Sequence, residues 1–87
     1  MQWVVKRTDT FLHFLKPHRH NKQLLDALDN KIRHLQENPI AVGGELAGAL
    51  HGKRSTRLIR KFRLIFSINE EEQTVYLEAI DHRGDIY

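Results

Sequence analysis

Cysteine is absent from the 87-residue chain, which excludes a disulfide framework and a thiolate metal site. Proline occurs only at Pro17 and Pro39, each just after a stretch with helical periodicity. The two act as helix stops, because the residue before a proline is pushed out of helical geometry. There is no low-complexity linker and no internal repeat. No apolar run approaches the roughly 20 residues that a membrane-spanning helix needs. Trp3-Val4-Val5 is followed at once by Lys6 and Arg7, so no signal-peptide core is read there. These absences lead to the expectation of a soluble, cytoplasmic protein with no membrane partner. The length predicts one domain, residues 1–87, at the lower end of what can build its own core. An apolar fraction of 40% with 29% charged residues is ordinary globular composition, so disorder along the whole chain is excluded.

The most telling scarcity is of negative charge. No Asp or Glu occurs between Glu45 and Glu70. Inside that gap, residues 53–63 read KRSTRLIRKFR and hold Lys53, Arg54, Arg57, Arg60, Lys61 and Arg63. The block carries +6, while the other eight Lys/Arg against eleven Asp/Glu leave −3 for the rest. A net charge of +3 therefore understates the local field, and a polyanion is the partner that such a patch attracts.

Gln2 to Lys6 is rich in β-formers and predicts a short strand. Thr8 or Asp9 is placed to cap a helix that carries Phe11, Leu12 and Leu15 on one side and ends before Pro17. A second helix is predicted from His20 or Asn21, with Leu24, Leu25, Leu28, Ile32 and Leu35 forming a stripe of helical period, stopped by Asn38-Pro39. Residues 40–52 are small and glycine-rich and are expected to be loosely structured, with one helical turn around Leu46–Leu50. The period then changes to two. A strand is predicted over 54–60, and Phe62, Leu64, Phe66 and Ile68 form the buried row of the next. A polar turn follows at 69–72, then a strand from Thr74 to Asp81. The order β-α-α-β-β-β implies an α+β fold, a helical hairpin on one face of a small, mostly antiparallel sheet. Arg63, of opposite parity to the apolar row, is expected on the other face.

Several elements then fall in a recognisable order. They are Leu50-His51-Gly52, Arg54-Ser55, Phe62-Arg63-Leu64-Ile65-Phe66-Ser67-Ile68, Ala79-Ile80-Asp81-His82-Arg83 and Ile86-Tyr87. The set resembles the RelE/ParE toxin superfamily of toxin–antitoxin modules, and the helix ending in Glu37-Asn38-Pro39 extends the likeness over nearly the whole chain. The resemblance implies the RelE-like fold. It implies a ribosome-dependent, metal-independent endoribonuclease that needs no cofactor and cuts mRNA on the ribosome. It also implies a cognate antitoxin that holds the toxin in a hetero-oligomer. Relatives of the ParE kind poison DNA gyrase on the same fold, and a weakly catalytic RNA- or antitoxin-binding relic is a third alternative.

Cleavage without a metal requires the RNA's own 2′-OH to attack the adjacent phosphate. One group must take the 2′ proton, another must neutralise the pentacoordinate phosphate, and a third must protonate the leaving 5′ oxygen. Arginine suits the second task, since its planar fork stays charged and grips phosphate bidentately. By resemblance, Arg63 matches the central-strand arginine at the scissile phosphate, Arg83 the basic residue near the C-terminus, and Tyr87 the terminal tyrosine. Arg54 and Arg57 stand where RelE carries two lysines. Those lysines share a face, whereas Arg54 and Arg57 are three residues apart, so a β-bulge near Ser55-Thr56 is needed to bring both beside Arg63. Without it, only one of them joins the site. Arginine is a poor proton acceptor, which leaves Glu45, His82 or no side chain at all for the base. Lys53, Arg54, Arg57, Arg60 and Lys61 form the candidate RNA-binding set, Arg60 and Lys61 lying in or near a turn. Simpler readings stand beside these: a cross-strand Arg63–Glu78 ion pair, and His18-Arg19-His20 as a polar turn rather than a metal site.

Overall fold

A computed structural model describes residues 2–45 and 52–82. Strand β1 (Val4–Arg7) leads into helix α1 (Asp9–Leu15), a 3-10 turn (Lys16–His18) and helix α2 (Lys22–Glu37). After a second 3-10 turn (Pro39–Ala41) come β2 (Gly44–Glu45), β3 (Arg54–Arg57), β4 (Phe62–Asn69) and β5 (Thr74–His82). The strands form one sheet in the order β1-β5-β4-β3-β2, with β1 parallel to β5 and every other pairing antiparallel. The architecture is the expected α+β fold.

The helix ends follow from local chemistry. The Thr8 hydroxyl oxygen accepts from the Phe11 amide at 3.1 Å, capping α1, and the same hydroxyl donates to the Leu77 carbonyl at 2.7 Å. One side chain thus starts the helix and ties it to β5. Asn21 caps α2 by accepting from the Leu24 amide at 3.1 Å. Leu24, Leu28 and Leu35 of the predicted stripe are buried, together with Phe11, against Phe62, Leu64, Phe66, Val75, Leu77 and Ile80 of the sheet. Among the described residues no helix is long and apolar enough to cross a membrane.

Three local readings change. The strand predicted over 54–60 ends at Arg57. Residues 58–61 instead form a tight connection, closed by bonds from the Leu58 amide to the Phe62 carbonyl and from the Phe62 amide to the Ile59 carbonyl. Arg60 takes φ +53 there. Residues 40–45 contain a 3-10 turn and the short fifth strand, β2; the turn expected around Leu46–Leu50 lies outside the described residues. Gly43 makes β2 possible. Its φ is +68, and a Cβ there would overlap the Ser55 carbonyl oxygen.

The third change concerns the bulge. Strand β3 pairs with β4 in unbroken register, Arg54 opposite Phe66, Ser55 opposite Ile65, Thr56 opposite Leu64 and Arg57 opposite Arg63. The irregularity lies on β5 instead. Ile65 pairs with Ala79 but Phe66 with Leu77, which leaves Glu78 as the extra residue. Leu77 and Ile80, three apart, are therefore both buried. The bulge turns Glu78 and Ala79 together away from the core.

Candidate functional site

The sheet face away from the helices is arranged in rows. Arg57, Arg63 and Asp81 form one row by register; Ser55, Ile65 and Ala79 form the next. Beyond them, Lys53, Ser67 and Glu78 are joined directly. Lys53 Nζ lies 3.1 Å from a Glu78 carboxylate oxygen, and the Ser67 hydroxyl donates to the same oxygen at 2.6 Å.

Arg57 and Arg63 face each other across the β3–β4 pair. Like charges in direct opposition destabilise a sheet unless something negative sits between them. Arg63 is half-buried and donates to the Ser55 hydroxyl at 3.2 Å, which fixes its guanidinium toward the middle of the face. Arg60 and Lys61, carried by the tight connection, close around the same two arginines. The four cations line a hollow of about 150 Å³. Among the described residues none of the four has an ion-pair partner. Arg60 and Lys61, candidates for RNA binding placed in or near a turn, thus line the cationic hollow.

Arg54 lies apart from this group. With no bulge in β3 it shares the parity of Phe66, on the helix side of the sheet. There its guanidinium donates to the carbonyls of Ile40 at 2.9 Å and Gly43 at 3.3 Å. It holds the segment leading into β2. Arg57, by contrast, is the arginine that joins Arg63. The alternative Arg63–Glu78 pair does not form, since Glu78 is engaged by Lys53 and Ser67. His82, a candidate base, pairs with Phe62 in register and stacks on its ring with centroids 4.3 Å apart, on the helix side. His18 meets the same ring edge-on at 5.0 Å. Among the described residues no group of three His, Cys, Asp or Glu side chains is placed to hold a metal ion. Arg83, Tyr87 and the side chain of Glu45 lie outside the described residues.

The opposite end of the face is acidic. Glu70, Glu71 and Glu72 form the β4–β5 turn, and the Tyr76 hydroxyl donates to Glu72 Oε1 at 3.0 Å. That bond, then slight desolvation and the carboxylate's charge, raise the Tyr76 pKa above its ordinary value near 10. Tyr76 is therefore a neutral donor at physiological pH. A polyanion on this face is drawn toward the Arg57/Arg63 end and repelled from the other.

Sequence reading set Glu78 beside Arg63 as one alternative; the structure gives it to Lys53 and Ser67, where it moderates the basic face. Glu78→Gln releases Lys53. The expected result is tighter binding of a short single-stranded RNA and a salt dependence steeper by about one counterion, read from log K against log salt. An unchanged slope would show that Lys53 does not meet phosphate.

Comparison with known proteins places these features in context. The family described as "ParE toxin of type II toxin-antitoxin system, parDE" matches residues 5–87. The chain is 33% identical to Toxin RelG of Mycobacterium tuberculosis over 94 aligned positions, covering 100% of this chain and 98% of that protein. A chain of the M. tuberculosis toxin–antitoxin complex RelBE2 superposes with a TM-score of 0.81 at 30% identity, over 98% of this chain and 95% of that one. YafQ of E. coli shares the fold with a TM-score of 0.76 at 13% identity, over 99% of both chains.

Proposed function

Since the chain belongs to the ParE toxin family of type II toxin–antitoxin systems, within the RelE/ParE superfamily, we propose that its toxic activity is ribosome-dependent cleavage of mRNA in the cytoplasm. The observation that carries this reading is the opposition of Arg57 and Arg63 in a four-cation hollow, neither arginine engaged in an ion pair among the described residues. Two planar cations held in opposition fit the equatorial oxygens of one phosphate better than they fit a protein carboxylate alone.

In the proposed reaction the 2′ oxygen attacks the adjacent phosphorus and gives up its proton. The bond from phosphorus to the 5′ oxygen breaks, and that oxygen gains a proton. The products are a 2′,3′-cyclic phosphate and a free 5′-OH. Arg63, oriented by Ser55, and Arg57 stabilise the added negative charge in the transition state. Arg60 and Lys61 hold the flanking backbone, and such contacts give affinity without base choice. The proton acceptor is neither arginine. The resemblance gives Arg83 the place of the basic residue near the C-terminus and Tyr87 that of a stacking platform for a base or a proton-transfer partner. A cognate antitoxin is the proposed partner, its carboxylates covering the same cations in a hetero-oligomer, as complexes such as RelBE2 exist among its structural relatives.

Primer extension on mRNA in a cell-free translation system tests the reading. Cuts at codon-defined positions are expected with the wild-type chain, and none on the same mRNA without ribosomes. The matched family is named for ParE, so a gyrase supercoiling assay runs in parallel. Inhibited supercoiling with intact mRNA would overturn the nuclease reading in favour of gyrase poisoning.

A further inference from the structure

Glu78 is a carboxylate set into the basic face. It is the extra residue of the β5 bulge, and the bulge turns it toward the cations. Its Oε2 takes both of its bonds, from Lys53 Nζ at 3.1 Å and from the Ser67 hydroxyl at 2.6 Å. Among the described residues Oε1 has no partner, and it is open to solvent. A carboxylate in this place weakens the pull of the face on a polyanion. What it adds is an acceptor of fixed direction, where Arg57, Arg60, Lys61 and Arg63 can only donate.

We propose that Glu78 determines base choice: its Oε1 accepts from the exocyclic amino group of a base adjoining the phosphate on Arg57 and Arg63, so that adenine, cytosine and guanine are admitted and uracil is disfavoured. The proposal rests on the nuclease reading for the phosphate, but the base contact stands on Glu78, Lys53 and Ser67. Three observations carry it. First, the two sites share one face of the sheet. Arg63, Ile65 and Ser67 follow one another on that side of β4, each two residues, or about 6.8 Å, from the next. Arg63 already leans one row toward Ser67, since its guanidinium meets the hydroxyl of Ser55, the register partner of Ile65. The row that remains is bridged by one nucleotide, from its phosphate through the sugar to the pairing edge of the base.

Second, the row between the two sites is apolar. Ile65 and Ala79 are register partners, both half-buried. They offer the flat face of a base an apolar bed while its edge is read by hydrogen bonds. Third, an acceptor held in one direction sorts bases by their donors. Adenine, cytosine and guanine each carry an amino group. Uracil has a single N3–H between two carbonyl oxygens, and a carboxylate repels both. Lys53 and Ser67 fix Oε2, so Oε1 cannot turn away from a base that fails to donate. Specificity is a difference of affinities, which explains a carboxylate that lowers the overall affinity of a basic face.

The test measures binding of two 2′-deoxy trinucleotides, which lack the attacking hydroxyl and differ only in a central cytosine or uracil. The two bases match in size, and an amino group in one stands where a carbonyl stands in the other. The full chain is expected to bind the cytosine strand about tenfold more tightly, as one side chain–base contact can provide. Glu78→Gln should bring the ratio close to one while both strands bind more tightly, because Lys53 is released. Ser67→Ala, which loosens the carboxylate without removing it, should lower the ratio in part. In translation extracts Glu78→Gln should add cuts beside uracil that the wild type spares. Equal affinity of the wild type for both strands overturns the proposal. So does a ratio that survives Glu78→Gln while both affinities rise, which makes Glu78 a counter-charge and nothing more. Base selection without any mRNA cleavage keeps the contact and removes the nuclease reading; cleavage that treats cytosine and uracil alike does the reverse.

Discussion

Arg63→Ala reduces single-turnover mRNA cleavage by about 10²–10³, the usual consequence of removing one preorganised donor from a developing negative charge. The melting temperature stays near the wild-type value. The reason lies in the pairing of β3 and β4. Arg63 is opposite Arg57 on β3 and Asp81 on β5, so its removal relieves a like-charge contact and gives up an opposite-charge neighbour and one bond to the Ser55 hydroxyl at 3.2 Å. A side chain that adds little to stability where it stands, yet is held in place by a neighbour, is placed for something other than folding. Arg63→Lys should recover only part of the activity, because an ammonium keeps the charge but not the fork. Arg57→Ala lowers cleavage less, since Arg57 is exposed and has no positioning bond among the described residues. The double variant should show less than the sum of the two losses, because both arginines address one phosphate. Primer extension quantified against time, with a thermal melt of each variant, reads all of these. Full activity in Arg63→Ala would remove the proposed site.

How much of this was legible in the sequence depended on whether the deciding interaction was local. The caps at Thr8 and Asn21 and the Leu24, Leu28, Leu35 stripe were readable because period and capping act within a few residues. The parity of Arg63 was readable for the same reason. The three-residue spacing of Arg54 and Arg57 announced a conflict, but its resolution required knowing where the sheet accommodates an extra residue. That place is Glu78 on β5, and no glycine marks it. Arg60 and Lys61 were legible as basic residues in or near a turn, but not as neighbours of Arg57 and Arg63. They reach the hollow only because the connection is short and Arg60 adopts a left-handed conformation. The ring contact of His18 with His82 was invisible to sequence reading, since the two meet across more than sixty residues of chain. The fold was therefore carried by short-range patterns, and the candidate site by strand register.

Phe66→Ala gives the largest expected loss of stability, about 3–5 kcal/mol. Phe66 is fully buried on the central part of β4, among Leu64, Val75, Leu77 and the leucines of α2. Its neighbours cannot easily collapse into the space. The register irregularity lies immediately beside it, between Ile65 and Phe66, and Arg54 across β3 is already committed to the carbonyls of Ile40 and Gly43. Domains hold roughly 0.05–0.15 kcal/mol per residue, so such a loss consumes a large part of what 87 residues provide. In urea the midpoint should fall steeply with little change in slope, and Phe66→Leu should lose less than about 1.5 kcal/mol. A loss near 1 kcal/mol for the alanine variant would mean that the sheet side of the core repacks freely. The comparison with Arg63→Ala separates two routes to inactivity. The Phe66 variant loses cleavage in proportion to its unfolded fraction, and a bound protein partner restores the fold by mass action. The Arg63 variant loses cleavage while fully folded, and no partner or stabilising condition returns it.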